Sequence, residues 1–246
     1  MKMLFVLVAA LLLARPAAAA ELAVVSGNGP KAAVRALCAQ FEQTTGDKVA
    51  LHFDVNADVI KKAEAGASFD VVVGNPPTIE RLIKAGRVAP GSRADIGRSG
   101  LGVAVKSGAP KPDISSVEAF KRTLLAAKAV AYPGKGASGV YFVELLGRMG
   151  IKDQMQGKLK PMKAEDTVEV VARGEADMVV VVATRIVGVP GVDSVGPIPE
   201  ELQTKIGFAA GVSAATKQPD AAKALVRFLS APSSAPTLRA NGVEPM

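Results

Sequence analysis

Short apolar strand-like runs alternate with helix-like stretches along almost the whole chain, and that alternation constrains the fold more than any other feature. The runs Asp70 to Val73 and Met178 to Ala183 show no polar/apolar alternation, so both faces of each strand must be covered. Leu22 to Ser26, Val49 to Phe53, Leu101 to Val105, Ala129 to Tyr132 and Gly207 to Ser213 read as further strands. Between them lie helix signals: Pro30 opening a stretch that Gly46 closes, Asp58 to Ala65 closed by Gly66, and Pro219 opening a long helix to Leu229. Repeated β-α-β units of this kind predict an α/β protein whose mostly parallel sheets are flanked by helices.

The grammar runs through two successive halves, which predicts two lobes with a ligand cleft between them. The expected boundaries are 21–105 for the first part of lobe 1, 106–203 for lobe 2, and 204–246 for the return to lobe 1. Ligands of open α/β sheets bind outside the carboxyl ends of the strands, so two facing lobes would trap a guest between those ends. Residues 1–20 are set aside. Lys2, the apolar run Phe5 to Ala14 and the small residues Ala18-Ala19-Ala20 have the anatomy of a cleaved secretory signal peptide, which predicts a periplasmic protein. The apolar run is shorter than the roughly 20 residues that span a bilayer, so no membrane insertion is expected.

Composition excludes several chemistries. One cysteine, Cys38, leaves no internal disulfide, and its spacing from Val34 and Phe41 places it on an apolar helix face as an inert thiol. One histidine, His52, lies mid-strand, so neither an ordinary zinc site nor a Ser-His-Asp triad is expected. Lys2 and Arg15 leave with the expected signal, so the formal net charge falls from +7 to +5, a mild excess that suits an anionic ligand or none at all. No Lys/Arg cluster is interleaved with aromatic residues, and nucleic acid is not an expected partner.

Three turns could hold an anion. Ser26-Gly27-Asn28-Gly29-Pro30 joins a strand to a helix, where glycine lets backbone amides approach closely and the helix start adds partial positive charge. A plain capped turn is the competing reading. Gly134-Lys135-Gly136-Ala137-Ser138-Gly139 matches the dinucleotide pattern G-x-G-x-x-G, but Gly157 to Pro161 lacks the acidic residue that pattern needs further on. No cofactor is expected, and the same geometry suits an anion nest with Ser138 as donor. A helix near Thr167 offers a third start, although Asp166 there would repel an anion. Arg185, just beyond the strand Met178 to Ala183, could grip a carboxylate through two parallel hydrogen bonds. A surface salt bridge explains Arg185 equally well.

Gln40-Phe41-Glu42 with Thr45-Gly46 and Val49, then Ala63-Glu64-Ala65-Gly66-Ala67 with Phe69-Asp70-Val71-Val72, resemble the type II periplasmic binding proteins of the molybdate-binding, ModA-like group. Gly139-Val140-Tyr141, Gly174-Glu175-Ala176, Val182-Ala183-Thr184 and Gly242-Val243-Glu244-Pro245 continue the likeness in order. The resemblance implies a cleft that holds a tetrahedral oxyanion on neutral donors. It places those contacts at Ser26, Gly27 and Asn28, at Asn56 and Ala57, at Ser138 and Val168, and at Val182. Asn56 and Ala57 stand where serines are usual, Val182 where a tyrosine is usual, and Arg185 where an acid is common. Each missing hydrogen bond to a buried oxyanion forfeits about 1.5–3 kcal/mol. The resemblance therefore implies a monomeric capture protein for molybdate, tungstate or a small organic carboxylate, delivering to an ABC transporter permease. No catalytic residues and no direct metal site are expected, and an exported α/β enzyme is the competing reading.

Overall fold

The computed structural model describes residues 19–246, so the expected signal peptide lies outside the described residues apart from its last two positions. Two mixed sheets form the protein. In the first, β1 (Glu21–Gly27) pairs in parallel with both β2 (Lys48–Asp54) and β3 (Val71–Gly74). Three helices connect this half: α1 (Lys31–Thr45), α2 (Asn56–Glu64) and α3 (Pro76–Lys84). The strand β4 (Ala94–Ser99) then leads out of it.

The second sheet is ordered β7-β6-β8-β5-β9, from β5 (Leu101–Lys106), β6 (Val130–Pro133), β7 (Leu159–Met162), β8 (Met178–Val182) and β9 (Val192–Pro197). Its helices are α4 (Val117–Ala126), α5 (Ala137–Arg148), α6 (Lys152–Met155) and α7 (Glu169–Ala172). The chain returns to the first sheet through β10 (Ile206–Val212), α8 (Pro219–Ser230), α9 (Ala235–Ala240) and the short β11 (Glu244–Pro245). No helix among the described residues is long and apolar enough to cross a membrane.

The sequence explains the elements locally. All of Val71 to Gly74 and all of Met178 to Val182 are buried, as the lack of alternation requires. On α1 the buried set Ala33, Val34, Leu37, Cys38 and Phe41 recurs at helical spacing. Gly46 then ends the helix at φ 81°, a left-handed conformation that glycine adopts without strain. Burial pushes the Cys38 thiol up to about 12, with Glu42 adding to the effect, so the thiolate is disfavoured. His52 is exposed on the edge strand β2, 3.7 Å from Asp54. Asn75 caps α3 by accepting from the Thr78 amide at 3.1 Å, with Pro76 and Pro77 in the first turn. One apolar cluster joins Leu22, Leu37 and Phe208 to Val179, Val181 and Ile186, while a separate cluster lies on the other face of each sheet.

The strand Leu101 to Val105 belongs to the second sheet, so the chain first leaves the first sheet at Gly100 rather than after residue 105. Gln203 locks this crossing. Its Oε1 accepts from the Leu101 amide at 2.9 Å, and its Nε2 donates to the carbonyls of Leu101 at 2.8 Å and Ile198 at 3.2 Å. Replacing Gln203 by alanine is expected to cost about 2 kcal/mol, since these half-buried backbone groups lose their partner. Chemical denaturation would check this, and a midpoint unchanged from wild type would refute the lock.

Candidate functional site

The carboxyl ends of β1, β2, β3, β6 and β8 converge on one cavity of about 450 Å³ between the sheets. Because β10 runs antiparallel to β3, its first residues, Ile206 and Phe208, reach the same place. The volume falls within the range of sites that enclose organic molecules.

Each wall is a strand-to-helix turn. Asn28, Gly29 and Pro30 come from the turn before α1, Asn56 and Ala57 from the start of α2, and Asn75, Pro77 and Thr78 from the start of α3. From the opposite side come Lys135, Gly136, Ala137 and Ser138 before and within α5, with Ala164, Thr167, Val182 and Arg185. No side-chain cap closes α1 or α5. The amides of Ala137 and Ser138, and the nearly buried Ser138 hydroxyl, find no acceptor or donor among the described residues. They are free to meet a guest, with the partial positive end of a 12-residue helix behind them.

Charge distinguishes this cavity. Among the described residues its lining contains Arg81, Lys135 and Arg185 but no aspartate or glutamate. Arg81, at the exposed rim, is already engaged by Glu64 at 2.7 and 2.9 Å. Arg185 is different. Its one hydrogen bond among the described residues runs from Nη2 to the Ala164 carbonyl at 2.7 Å, and it forms no ion pair there. Burial draws its guanidinium below the ordinary range, opposed by the fields of Glu169 and Glu165. A half-buried cation with most of its donors unused calls for an anion.

Six expected contacts therefore line the cavity: Asn28, Asn56, Ala57, Ser138, Val182 and Arg185. Three expectations need correction. Ser26 is fully buried inside β1, and its hydroxyl donates to the Gly27 carbonyl at 2.9 Å. Gly27 lies under the Asn56 side chain, whose Oδ1 would sit 2.4 Å from a Cβ at that position, so it faces Asn56 rather than the cavity. Val168 is buried in the core and its amide donates to Glu169 Oε2 at 3.1 Å. The helix expected from Thr167 is only the four-residue α7, preceded by a 3-10 turn, and Arg173 holds Asp166 at 2.7 Å.

Sequence reasoning missed Asn75, Thr78, Lys135, Arg81 and the start of β10. The Gly74-Asn75-Pro76-Pro77 turn carries the same strand-to-helix signal as the others. The Thr167 hydroxyl donates to the Lys163 carbonyl, and Asn75 Oδ1 accepts from the Thr78 amide. Asn56 Oδ1 is buried without a partner.

The sequence profile of the bacterial extracellular solute-binding proteins matches residues 22–244. The chain belongs to that family. This solute-binding protein is 26% identical to the molybdate-binding protein ModA of Azotobacter vinelandii, over 94% of the chain and 92% of ModA. The solved periplasmic molybdate-binding protein of the same organism superposes with a TM-score of 0.77 at 19% identity, covering 90% of this chain and 98% of that one. The type II periplasmic binding protein fold and the ModA-like resemblance both hold. An aconitate isomerase from a Pseudomonas species is 34% identical over 97% of this chain and 94% of its own length. That relative is an enzyme by name, so the expectation of a module without turnover is corrected.

Proposed function

We propose that this solute-binding protein captures an unsaturated organic polycarboxylate of the aconitate type, in the periplasm, and isomerises it. Arg185 carries the proposal: among the described residues it is a half-buried guanidinium with no carboxylate partner, opening on a cavity that no acidic side chain lines. One ligand carboxylate would take the Arg185 fork, and a second the amides of Ala137 and Ser138 with the Ser138 hydroxyl. Asn28 would serve as an uncharged donor beside them. The isomerase relative supports the same ligand class. A tetrahedral oxyanion fits less well, because Val182 and Ala57 bring no hydroxyl and Ser26 turns its own away. Family membership supports delivery to an ABC permease as the downstream partnership.

The test pairs binding with turnover. Purified protein is expected to be stabilised by cis- or trans-aconitate, by about 2.7 kcal/mol at one hundred times the dissociation constant. Proton NMR should then show either isomer converted to a mixture of both. A thermal shift with molybdate or sulfate alone, and no conversion, would defeat the reading.

A further inference from the structure

We infer that Lys135 is the acid/base residue of this cleft, carrying the substrate proton between the two carbons of the migrating double bond. The inference rests on the isomerase reading above. Moving a double bond along three carbons needs one group that removes a proton and returns it. Among the described residues no aspartate, glutamate, histidine, cysteine or tyrosine lines the cavity. Ser138, Thr78 and the asparagines are poor bases, and no basic neighbour contacts the Ser138 hydroxyl to activate it. Arg81 is committed to Glu64. Arg185 is needed as the charged holder of a carboxylate, and losing its proton would remove the charge that steadies the intermediate.

Lys135 remains. It is exposed in the turn between β6 and α5, flanked by Gly134 and Gly136, and has no ion pair or hydrogen bond among the described residues. It stands two and three positions before the free amides of Ala137 and Ser138. Lys135, Ala137 and Ser138 line the same cavity, so a carboxylate seated on those amides shares that cavity with the lysine.

The step balances without a further reactant. The neutral Nζ takes a proton from the methylene carbon, and the C–H electron pair spreads over the three carbons and onto the carboxylate oxygens. Arg185 and the Ala137 and Ser138 amides hold that added negative charge. The ammonium then gives the proton to the far carbon, leaving the double bond moved by one position and the lysine neutral again.

The experiment compares wild type with Lys135→Gln and Lys135→Arg in deuterated water, following isomer ratio and methylene deuterium by NMR. Wild type is expected to convert the isomers and to exchange solvent deuterium into the methylene position. Both variants should keep ligand affinity within about threefold and lose kcat by about 10²–10⁴-fold, the usual contribution of a general base. If wild type is active and either variant keeps a tenth or more of its kcat, another group moves the proton. A loss confined to KM would make Lys135 a binding contact and overturn the inference. If wild type converts neither isomer, this inference and the isomerase reading fall together.

Discussion

Exchanging Arg185 for glutamine is expected to weaken binding of a tricarboxylate by about a hundredfold, while leaving the empty protein as stable as before. The two effects have the same origin. In the empty cleft the guanidinium is half-buried with one hydrogen bond, to the Ala164 carbonyl, so its removal relieves a desolvated charge rather than breaking a pair. In the complex it supplies two charge-assisted hydrogen bonds, and losing them costs about 3 kcal/mol or more. Titration calorimetry against cis-aconitate reads the first effect, and urea denaturation without ligand reads the second. An affinity within threefold of wild type would mean that the carboxylates sit elsewhere.

Replacing Gly139 by alanine should do the opposite, damaging the fold first and the cleft as a result. A Cβ there would lie 1.7 Å from the Pro133 carbonyl oxygen and 2.8 Å from its carbon. Both are backbone atoms at the end of β6, so no side chain can swing aside, and α5 must move. The expected loss is about 3 kcal/mol or more, the upper range for overpacking. Gly147 lies in the same helix with nothing within 4 Å of its Cβ position. Gly147→Ala should leave stability unchanged or raise it by up to about 1 kcal/mol. Thermal melts of the pair check the prediction, and equal melting temperatures would show that the contact at Pro133 is not rigid. The third glycine of the Gly134–Gly139 pattern thus serves close helix-strand packing, without a dinucleotide.

Much of the architecture was legible because buried strands and helix punctuation are local signals. Val71 to Val73 and Met178 to Val182 could be nothing but covered strands, and Pro30, Gly46 and Pro219 mark helix ends where they stand in three dimensions. Sheet membership was less legible. Nothing in Leu101 to Val105 says on which side of a crossing it falls, and the reversed direction of β10 is fixed by pairing with β3 and β4. The site divided along the same line. Turns that end a strand and start a helix were readable, hence Asn28 and Ser138, while Asn56 followed from the family resemblance. The direction of a hydroxyl was not: Ser26 points at its neighbour's carbonyl. The proposed catalysis leaves no mark of its own, since a cleft built from amides, arginine and lysine lacks the histidines, cysteines and paired acids by which enzymes are usually noticed in sequence.

The threading of the chain between the sheets has one more consequence. It departs at Gly100 and comes back at Ile206, and Ile206 lies directly across from Ser99 in neighbouring antiparallel strands. At the same spot Leu101 and Gln203 are stapled together. The whole excursion thus begins and ends within a few ångströms of itself, like an insert spliced into a hairpin. Such an arrangement lets one half be exchanged for a related half without rerouting the other, so a new guest specificity can arrive as a single block.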